Sequence, residues 1–381
     1  MTGYDQLLKQ CQLELCLEKM MKPVNSDKIC CLTRLLAHYY TVTNDFNRSL
    51  KYYKKSINLI ILTTNDNNEI ADIHHTIGLI YYHKKQQYNL AVKYFKNELN
   101  IYELNFNDDK LQLAELYNLI GSCYLKQNKY ILALKYYESC LFLYTQCSPL
   151  FNCIPIYKLL ATLYFQNREY NSAIKYYQKL VINTDNDNVT ELNYYYTNIA
   201  ICYYKKKNSN LAIKYYEKSL LLSTDIFERG NIYYSLGDIY CEQVKYHLAI
   251  KYFKMALTTL RNKLNCSIIH RKIGYCYYSI DEYDLSIDHC KKSLIIQEDD
   301  DDTIHTMYYI IAFCYEMKNE FDQALEYYKK CLEIKKEFHL SILNILDSIA
   351  CICYRKKEYN NAIYYWVKML LQDDWKDKGK F

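Results

Sequence analysis

Residues 117–140 read YNLIGSCYLKQNKYILALKYYESC. Gly121 is followed after twelve residues by Ala133, and Ala133 after four by Tyr137. Positions i and i+4 share one face of an α-helix. Two antiparallel helices approach only as closely as their contact side chains allow. A Gly on the first helix and an Ala on the second therefore permit a tight crossing, with the rings filling the space beside it. The stretch predicts a helical hairpin.

The same spacing returns along the chain. The small residue opening the second helix recurs as Ser49, Ala91, Ala133, Ala173, Ala212, Ala249, Ser286, Ala324 and Ala362, at intervals of 37 to 42 residues. Four residues on stands a large ring, Tyr53, Phe95, Tyr137, Tyr177, Tyr216, Phe253, Tyr328 or Trp366, and Cys290 breaks the series. Twelve residues ahead stands another small residue, Ala37, Gly121, Ala161, Ala200, Gly237, Gly274, Ala312 or Ala350, with Gly78 displaced by one inserted residue. A lone hairpin leaves an apolar face uncovered, and stacking on the next copy covers it, so such units come in runs. Seven Gly and three Pro in 381 residues leave little turn chemistry for sheets, sandwiches or barrels. An all-α chain is expected.

The spacing carries a resemblance. Tyr117, Ile120, Gly121, Tyr124, Tyr130, Ala133, Tyr137 and Cys140 fill the landmarks of the tetratricopeptide repeat (TPR), and the resemblance extends over roughly residues 30 to 371. The unit is longer than the usual period of about 34 residues. In that respect it is similar to kinesin light chains and related adaptors, although the His-Pro dipeptide typical of light chains is absent. The resemblance implies a right-handed superhelical solenoid of nine hairpins, starting near residues 30, 71, 114, 154, 193, 230, 267, 305 and 343. Residues 1–29 are expected to form an N-terminal capping helix, carrying Leu7, Leu8, Cys11, Leu15 and Leu17 and ended by Pro23, with a linker after it. Residues 372–381 are expected to form a polar tail, which leaves the last repeat uncapped and open to an oligomer or parent-chain contact.

Chemistry beyond packing is sparse in the sequence. The net charge of +5 is weak and mixed, which argues against a nucleic-acid partner. No apolar run reaches membrane-span length. Met1–Gln10 has no basic segment followed by an apolar one, so a cytoplasmic protein with reduced thiols is expected. Cys123, Cys202, Cys276 and Cys314 fall two residues after the small residue of the first helix, and Cys140 and Cys331 close the second helix. There they read as compact hydrophobes. Cys30-Cys31 and Cys351-Ile352-Cys353 lack a second pair at zinc-site spacing. No HExxH motif, phosphate loop or nucleophile elbow occurs, so neither an enzyme nor a metal or other cofactor is expected. The tyrosine pairs of the second helices, such as Tyr52-Tyr53 and Tyr136-Tyr137, suggest base-stacking platforms, but core packing of the second ring and a solvent-facing phenol for the first is the expectation.

Two charge-segregated edges are expected. Lys84, Lys85, Lys126, Lys205 to Lys207 and Arg355 to Lys357 lie in turns within hairpins. Asp66, Glu69, Asp108, Asp109, Asp185, Asp187 and Glu298 to Asp302 lie in loops between them. Acids ahead of a helix cap its free N–H groups, and lysines behind it suit the dipole.

The TPR resemblance implies a concave groove lined by the first helices, binding a partner's extended peptide or helix. The positions that would carry a peptide-gripping asparagine ladder read Leu35, Thr76, Leu119, Leu159, Asn198, Ser235, Lys272, Ile310 and Ser348, so only Asn198 matches. No carboxylate clamp of Lys and Asn is present. Asn198, Ser235, Asp238, Arg271, Lys272 and Tyr275 are the expected partner contacts, with Arg271 and Lys272 pairing an acidic side chain. The chain is thus expected to be a non-catalytic protein-interaction scaffold. Alternatives are the repeat region of a larger regulated enzyme or signalling sensor and, against the unequal intervals, an RNA-binding repeat array.

Overall fold

The computed structural model describes residues 2–20, 26–105, 109–147, 153–185, 187–260, 262–296, 301–334 and 339–378. Pro23, Asp108 and Glu298 to Asp300, singled out above, lie outside them. Every regular element among the described residues is helical. The chain divides into two units, Met1–Asn183 and Thr184–Phe381.

In the first unit α1 (Thr2–Met20) precedes four hairpins: α2/α3 (Ser26–Val42, Phe46–Leu62), α4/α5 (Asn67–Leu79, Tyr88–Asn105), α6/α7 (Lys110–Lys126, Tyr130–Cys147) and α8/α9 (Ile154–Gln166, Tyr170–Ile182). The second unit holds α10/α11 (Val189–Lys205, Ser209–Leu222), α12/α13 (Ile226–Glu242, Tyr246–Thr259), α14/α15 (Lys263–Tyr278, Tyr283–Ile296), α16/α17 (Asp301–Met317, Phe321–Ile334) and α18/α19 (His339–Arg355, Tyr359–Lys378). The first helix of each pair is called its A helix and the second its B helix. Within each unit the B helix packs on its own A helix and on the A helix that follows, so each apolar face is covered from two sides. Leu15 of α1 is buried against Ile29, Leu32 and Leu36 of α2, whereas Leu17 is exposed. α19 runs through Lys378, into the stretch read as polar tail.

The crossing is tight because a ring sits where a Cβ would be. A Cβ added at Gly121 would lie 3.0 Å from the Tyr137 ring, and one at Gly78 2.5 Å from the Phe95 ring. The glycine seats the ring four residues beyond the small residue of the B helix, and that small residue is itself fully buried, as Ala91 and Ala133 are. The residue inserted after Gly78 is absorbed as one π-helical turn, Ile80–Lys84. Its wider ring, closed by Lys85 N–H donating to Ile80 C=O at 3.2 Å, takes the extra residue without shifting Phe95 off the crossing.

The hairpin turns are made without glycine. Scarce glycine does not mean few tight turns: all nine hairpins turn on a non-glycine residue with φ of 50 to 62°. In chain order these are Asn44, Gln86, Asn128, Arg168, Lys207, Val244, Asp281, Asn319 and Lys357, each five residues before the small residue of the B helix. Next to it a long-reach bond closes the A helix, as Lys129 N–H donates to Tyr124 C=O at 3.0 Å and Lys245 N–H to Tyr240 C=O at 2.9 Å. This is the Schellman arrangement that satisfies end carbonyls.

Helix starts follow the capping expectation in part. Asp66 accepts from the N–H groups of Asn68 and Glu69, and Asp109 from that of Gln112, each such cap stabilising by about 1 kcal/mol. Asp185 and Asp187 do not cap α10; Asn188 does, accepting from Glu191 N–H. The turn lysines do more than suit a dipole. Lys318 pairs with Asp284 of the preceding repeat and Lys356 with Asp322, both at 2.6 Å, and Lys85 donates to Asn47 in the same register. Asp284 and Asp322 are more than four-fifths exposed, so solvent screens each pair, which chiefly sets register.

Candidate protein-binding face

Tyrosine is the chain's compositional excess, with 46 copies, and the structure shows where the rings go. The first ring of each B-helix pair does not face solvent freely. In seven hairpins it stacks on the tyrosine three residues beyond the small residue of its own A helix, in Tyr40–Tyr52, Tyr81–Tyr94, Tyr124–Tyr136, Tyr164–Tyr176, Tyr203–Tyr215, Tyr240–Tyr252 and Tyr315–Tyr327, with centroids 5.3 to 5.8 Å apart. At several junctions a lysine from the preceding B helix lies over the pair: Lys54 over Tyr81 and Tyr94, Lys96 over Tyr124 and Tyr136, and Lys291 over Tyr315 and Tyr327, at 5.2 to 5.9 Å. Lys291 also donates to the Tyr315 phenol at 2.8 Å. At the third junction a carboxylate replaces the lysine, and the Tyr164 phenol donates to Glu138. Stacking and cation–π contacts each add about 0.5–1.5 kcal/mol. The stacks therefore join the two helices of one hairpin, and at several junctions the lysine carries the contact on to the preceding repeat.

The cysteines at small positions behave as compact hydrophobes. Cys123, Cys140, Cys202, Cys314 and Cys331 are fully buried, and burial pushes the Cys123, Cys140 and Cys202 thiols up to about 12. Cys30 is buried while Cys31 is exposed, as expected of neighbours on one helix. Among the described residues no three His, Cys, Asp or Glu side chains converge on a metal-sized site.

The A helices α10, α12 and α14 of the second unit carry the six expected contact residues. Asn198 and Ser235 are half-buried and return their donors to their own helices, Asn198 to Tyr194 C=O at 2.8 Å and Ser235 to Asn231 C=O at 3.0 Å. Lys272 of α14 reaches Asp238 of α12 at 2.8 Å. Burial works against its ammonium, but the hydrogen bond and charge of Asp238 hold it above the ordinary lysine range. Arg271 donates to Thr303 Oγ1 of α16 at 2.9 Å. Tyr275 is exposed and edge-on to Tyr246, 6.4 Å away. Asp238 and Lys272 are thus brought together as a pair within the chain, and Arg271 points toward the next A helix.

Sequence reasoning missed what lies between α10 and α12. A cavity of about 170 Å³ is lined by Asn193, Tyr194 and Thr197 of α10 and by Glu228, Asn231 and Ser235 of α12, among others. Its floor is a polar network. The buried Asn193 amide donates to Glu228 Oε2 at 2.5 Å and its oxygen accepts from Ser219, which also meets Thr197 at 2.7 Å. The signal was present in the sequence. Seven residues before the A-helix small residue most repeats place a small or apolar side chain, such as Ala71, Ala114 or Gly230, and position 193 breaks that with Asn. Its partner Ser219 stands 26 residues on, the same separation that joins Ser267 to Ser293.

Stacked hairpins seated on small residues, with A helices presenting side chains between them, define a helical-repeat scaffold. The tetratricopeptide repeat family matches residues 69–146, 191–262 and 265–337, and a second tetratricopeptide repeat profile matches 154–181. These spans exceed half of the chain, which belongs to this family of protein-interaction repeats. Among solved structures it is similar to the C-terminal part of a TPR repeat-containing protein from Cytophaga hutchinsonii, at 20% identity over 72% of this chain and 99% of that one, with a TM-score of 0.55. Two weaker likenesses are to MamA, at 22% identity over 50% of this chain and 97% of that one with a TM-score of 0.44, and to a signal transduction ATPase (STAND) protein with a tetratricopeptide repeat sensor from Pyrococcus horikoshii, at 17% identity over 88% and 56% with a TM-score of 0.48. No curated protein sequence matches the chain. Among the described residues no helix is long and apolar enough to cross a membrane.

Proposed function

We propose that the face formed by α10, α12 and α14 binds a segment of a partner protein, extended or helical, and that the chain acts as a non-catalytic adaptor. The supporting observation is the cavity between α10 and α12. At about 170 Å³ it is smaller than the roughly 300–1,000 Å³ that hold cofactors and drug-sized ligands, and it suits one side chain of a docked polypeptide. Exposed Tyr194 stands at its edge as an amphipathic contact of the kind that anchors interfaces. The exposed Glu228 carboxylate favours a basic or hydroxyl-bearing side chain there, and Arg271, Lys272 and Tyr275 favour an acidic neighbour further along, sharing Lys272 with Asp238. Cysteines buried at packing positions, where they serve as compact hydrophobes, fit a cytoplasmic setting.

Selecting peptides by display against the full chain tests this reading. Ser235→Trp, which fills the cavity, is expected to weaken the selected peptides at least about tenfold, or 1.4 kcal/mol, and the Arg271→Ala/Lys272→Ala double variant to remove those that carry acids. Peptides that bind both variants as they bind the wild type would overturn it.

A further inference from the structure

Where α12 meets α14, two sulfurs face each other. Cys276 Sγ lies 3.8 Å from Cys241 Sγ, one helical turn from the Asp238–Lys272 pair that joins the same two helices. The pairing is particular to this junction. Four residues beyond the small residue of one A helix and two beyond that of the next, the chain carries Tyr204 and Ile239 at the preceding junction and Tyr278 and Cys314 at the following one. Only between Gly237 and Gly274 do both register positions hold cysteine. The two thiols also differ. Cys276 is fully buried while Cys241 is partly open to solvent. The Cys276 S–H donates to Cys241, and the Lys272 ammonium adds positive charge, so Cys241 is held below the ordinary thiol range and Cys276 above it.

We propose that Cys241 and Cys276 form a reversible disulfide by exchange with a low-molecular-weight disulfide such as glutathione disulfide, covalently joining α12 to α14. Cys241, as thiolate, attacks one sulfur of the small disulfide and expels one thiolate, leaving a mixed disulfide on Cys241. Cys276 gives its proton to a departing thiolate and attacks Cys241 Sγ, expelling the second. Two protein thiols become one S–S bond and the small disulfide is reduced to two thiols. The accessible, more acidic sulfur starts the exchange and the buried one resolves it, which is the order exposure and charge dictate. Closing from 3.8 Å to a bond of about 2 Å requires the two sulfurs to move together.

The test uses the full chain in glutathione/glutathione disulfide mixtures, quenched by alkylation and mapped by mass spectrometry of digests. The expected result is joint loss of alkylation at Cys241 and Cys276, a linked peptide containing both, and recovery with dithiothreitol. Cys276→Ser is expected to accumulate glutathione on Cys241, and Cys241→Ser to leave Cys276 unmodified. The proposal is overturned if both residues stay alkylated under conditions in which exposed Cys16, Cys31 or Cys147 already carry glutathione, or if wild-type Cys241 stops at the mixed disulfide. The wild-type map decides this even if either serine variant does not fold.

Discussion

The hairpin α6/α7 and the pair of hairpins α12–α15 run the same backbone with different side chains. Both turn on a left-handed residue, Asn128 in the first and Val244 and Asp281 in the second. Both close with the same bond, from Lys129 to Tyr124 at 3.0 Å and from Glu282 to Tyr277 at 3.0 Å. In α6/α7 the ring positions are tyrosines: Tyr137 seats on Gly121, and Tyr124 stacks on Tyr136. In α14/α15 Cys290 takes the seat on Gly274, His289 takes the stacking position beside Tyr277, and His270 meets it with Nδ1 atoms 2.9 Å apart. Small-against-large volume and turn geometry specify the hairpin, and the identity of the large group is free to vary. That freedom is what gathers titratable and redox-active groups in α12–α15.

The largest effect separates the two seats. Tyr137 is 1% exposed, and its phenol meets Ser122 at 3.0 Å. Tyr137→Ala should lower hydrogen-exchange protection across α6 and α7 by about 3–5 kcal/mol, the cost of emptying an aromatic seat. Cys290→Ala, which removes one sulfur, should cost α14 and α15 about 1 kcal/mol, near that of a single methyl group. Equal costs would break the claim that volume at this seat sets the stability of the hairpin.

Next comes acid. Burial, reinforced by His270, pushes His289 down to about 4, and burial lowers His270 as well. An unfolded histidine binds its proton near 6.5, so between about pH 6.5 and 4 the unfolded state holds more protons, and stability falls as pH falls through that window. Protection of α14 and α15 should therefore drop from pH 7 to pH 5, while α6/α7 changes little. His289→Tyr, which restores the stacking pair found in the other hairpins, should flatten the difference. An unchanged pH dependence in that variant would assign the acid sensitivity elsewhere.

The architecture was legible in the sequence because the hairpin is set by residues close in the chain. Gly121, Ala133 and Tyr137 lie within one unit, and their phase survives nine repetitions. What crosses between repeats was not legible in the same way. Placing Lys96 of the preceding repeat over the Tyr124–Tyr136 stack requires knowing which B-helix positions face the next A helix. The first ring of each pair therefore read as solvent-facing until the register was seen. Of the proposed partner face the sequence showed only part. Polarity from Asn198 to Lys272 pointed to α10, α12 and α14, yet Lys272 meets Asp238, a contact 34 residues away that no local pattern shows. Asn193 was overlooked because a polar residue at a buried position carries meaning only when set against the same position of every other repeat.

The smallest effect lies in the turns. At φ near +60° the Cβ of an ordinary residue crowds the following carbonyl, at a cost of roughly 1–2 kcal/mol, whereas Asn tolerates the region through local hydrogen bonding. Asn128 and Val244 hold the same turn position with φ of 58 and 61°. Val244 is 68% exposed, so replacing it removes little packing. Val244→Asn should raise the local stability of α12/α13 by about 1 kcal/mol, and Asn128→Val should lower that of α6/α7 by a similar amount. Val244→Gly should gain less than Val244→Asn, because glycine frees the unfolded chain as well as relieving the turn. Hydrogen exchange at the ends of α12 and α6 reads all three. If the exchange of Asn and Val between the two turns moved neither hairpin, turn strain would have no part in the difference between them, and α12–α15 would differ from α6/α7 through their ring seats alone.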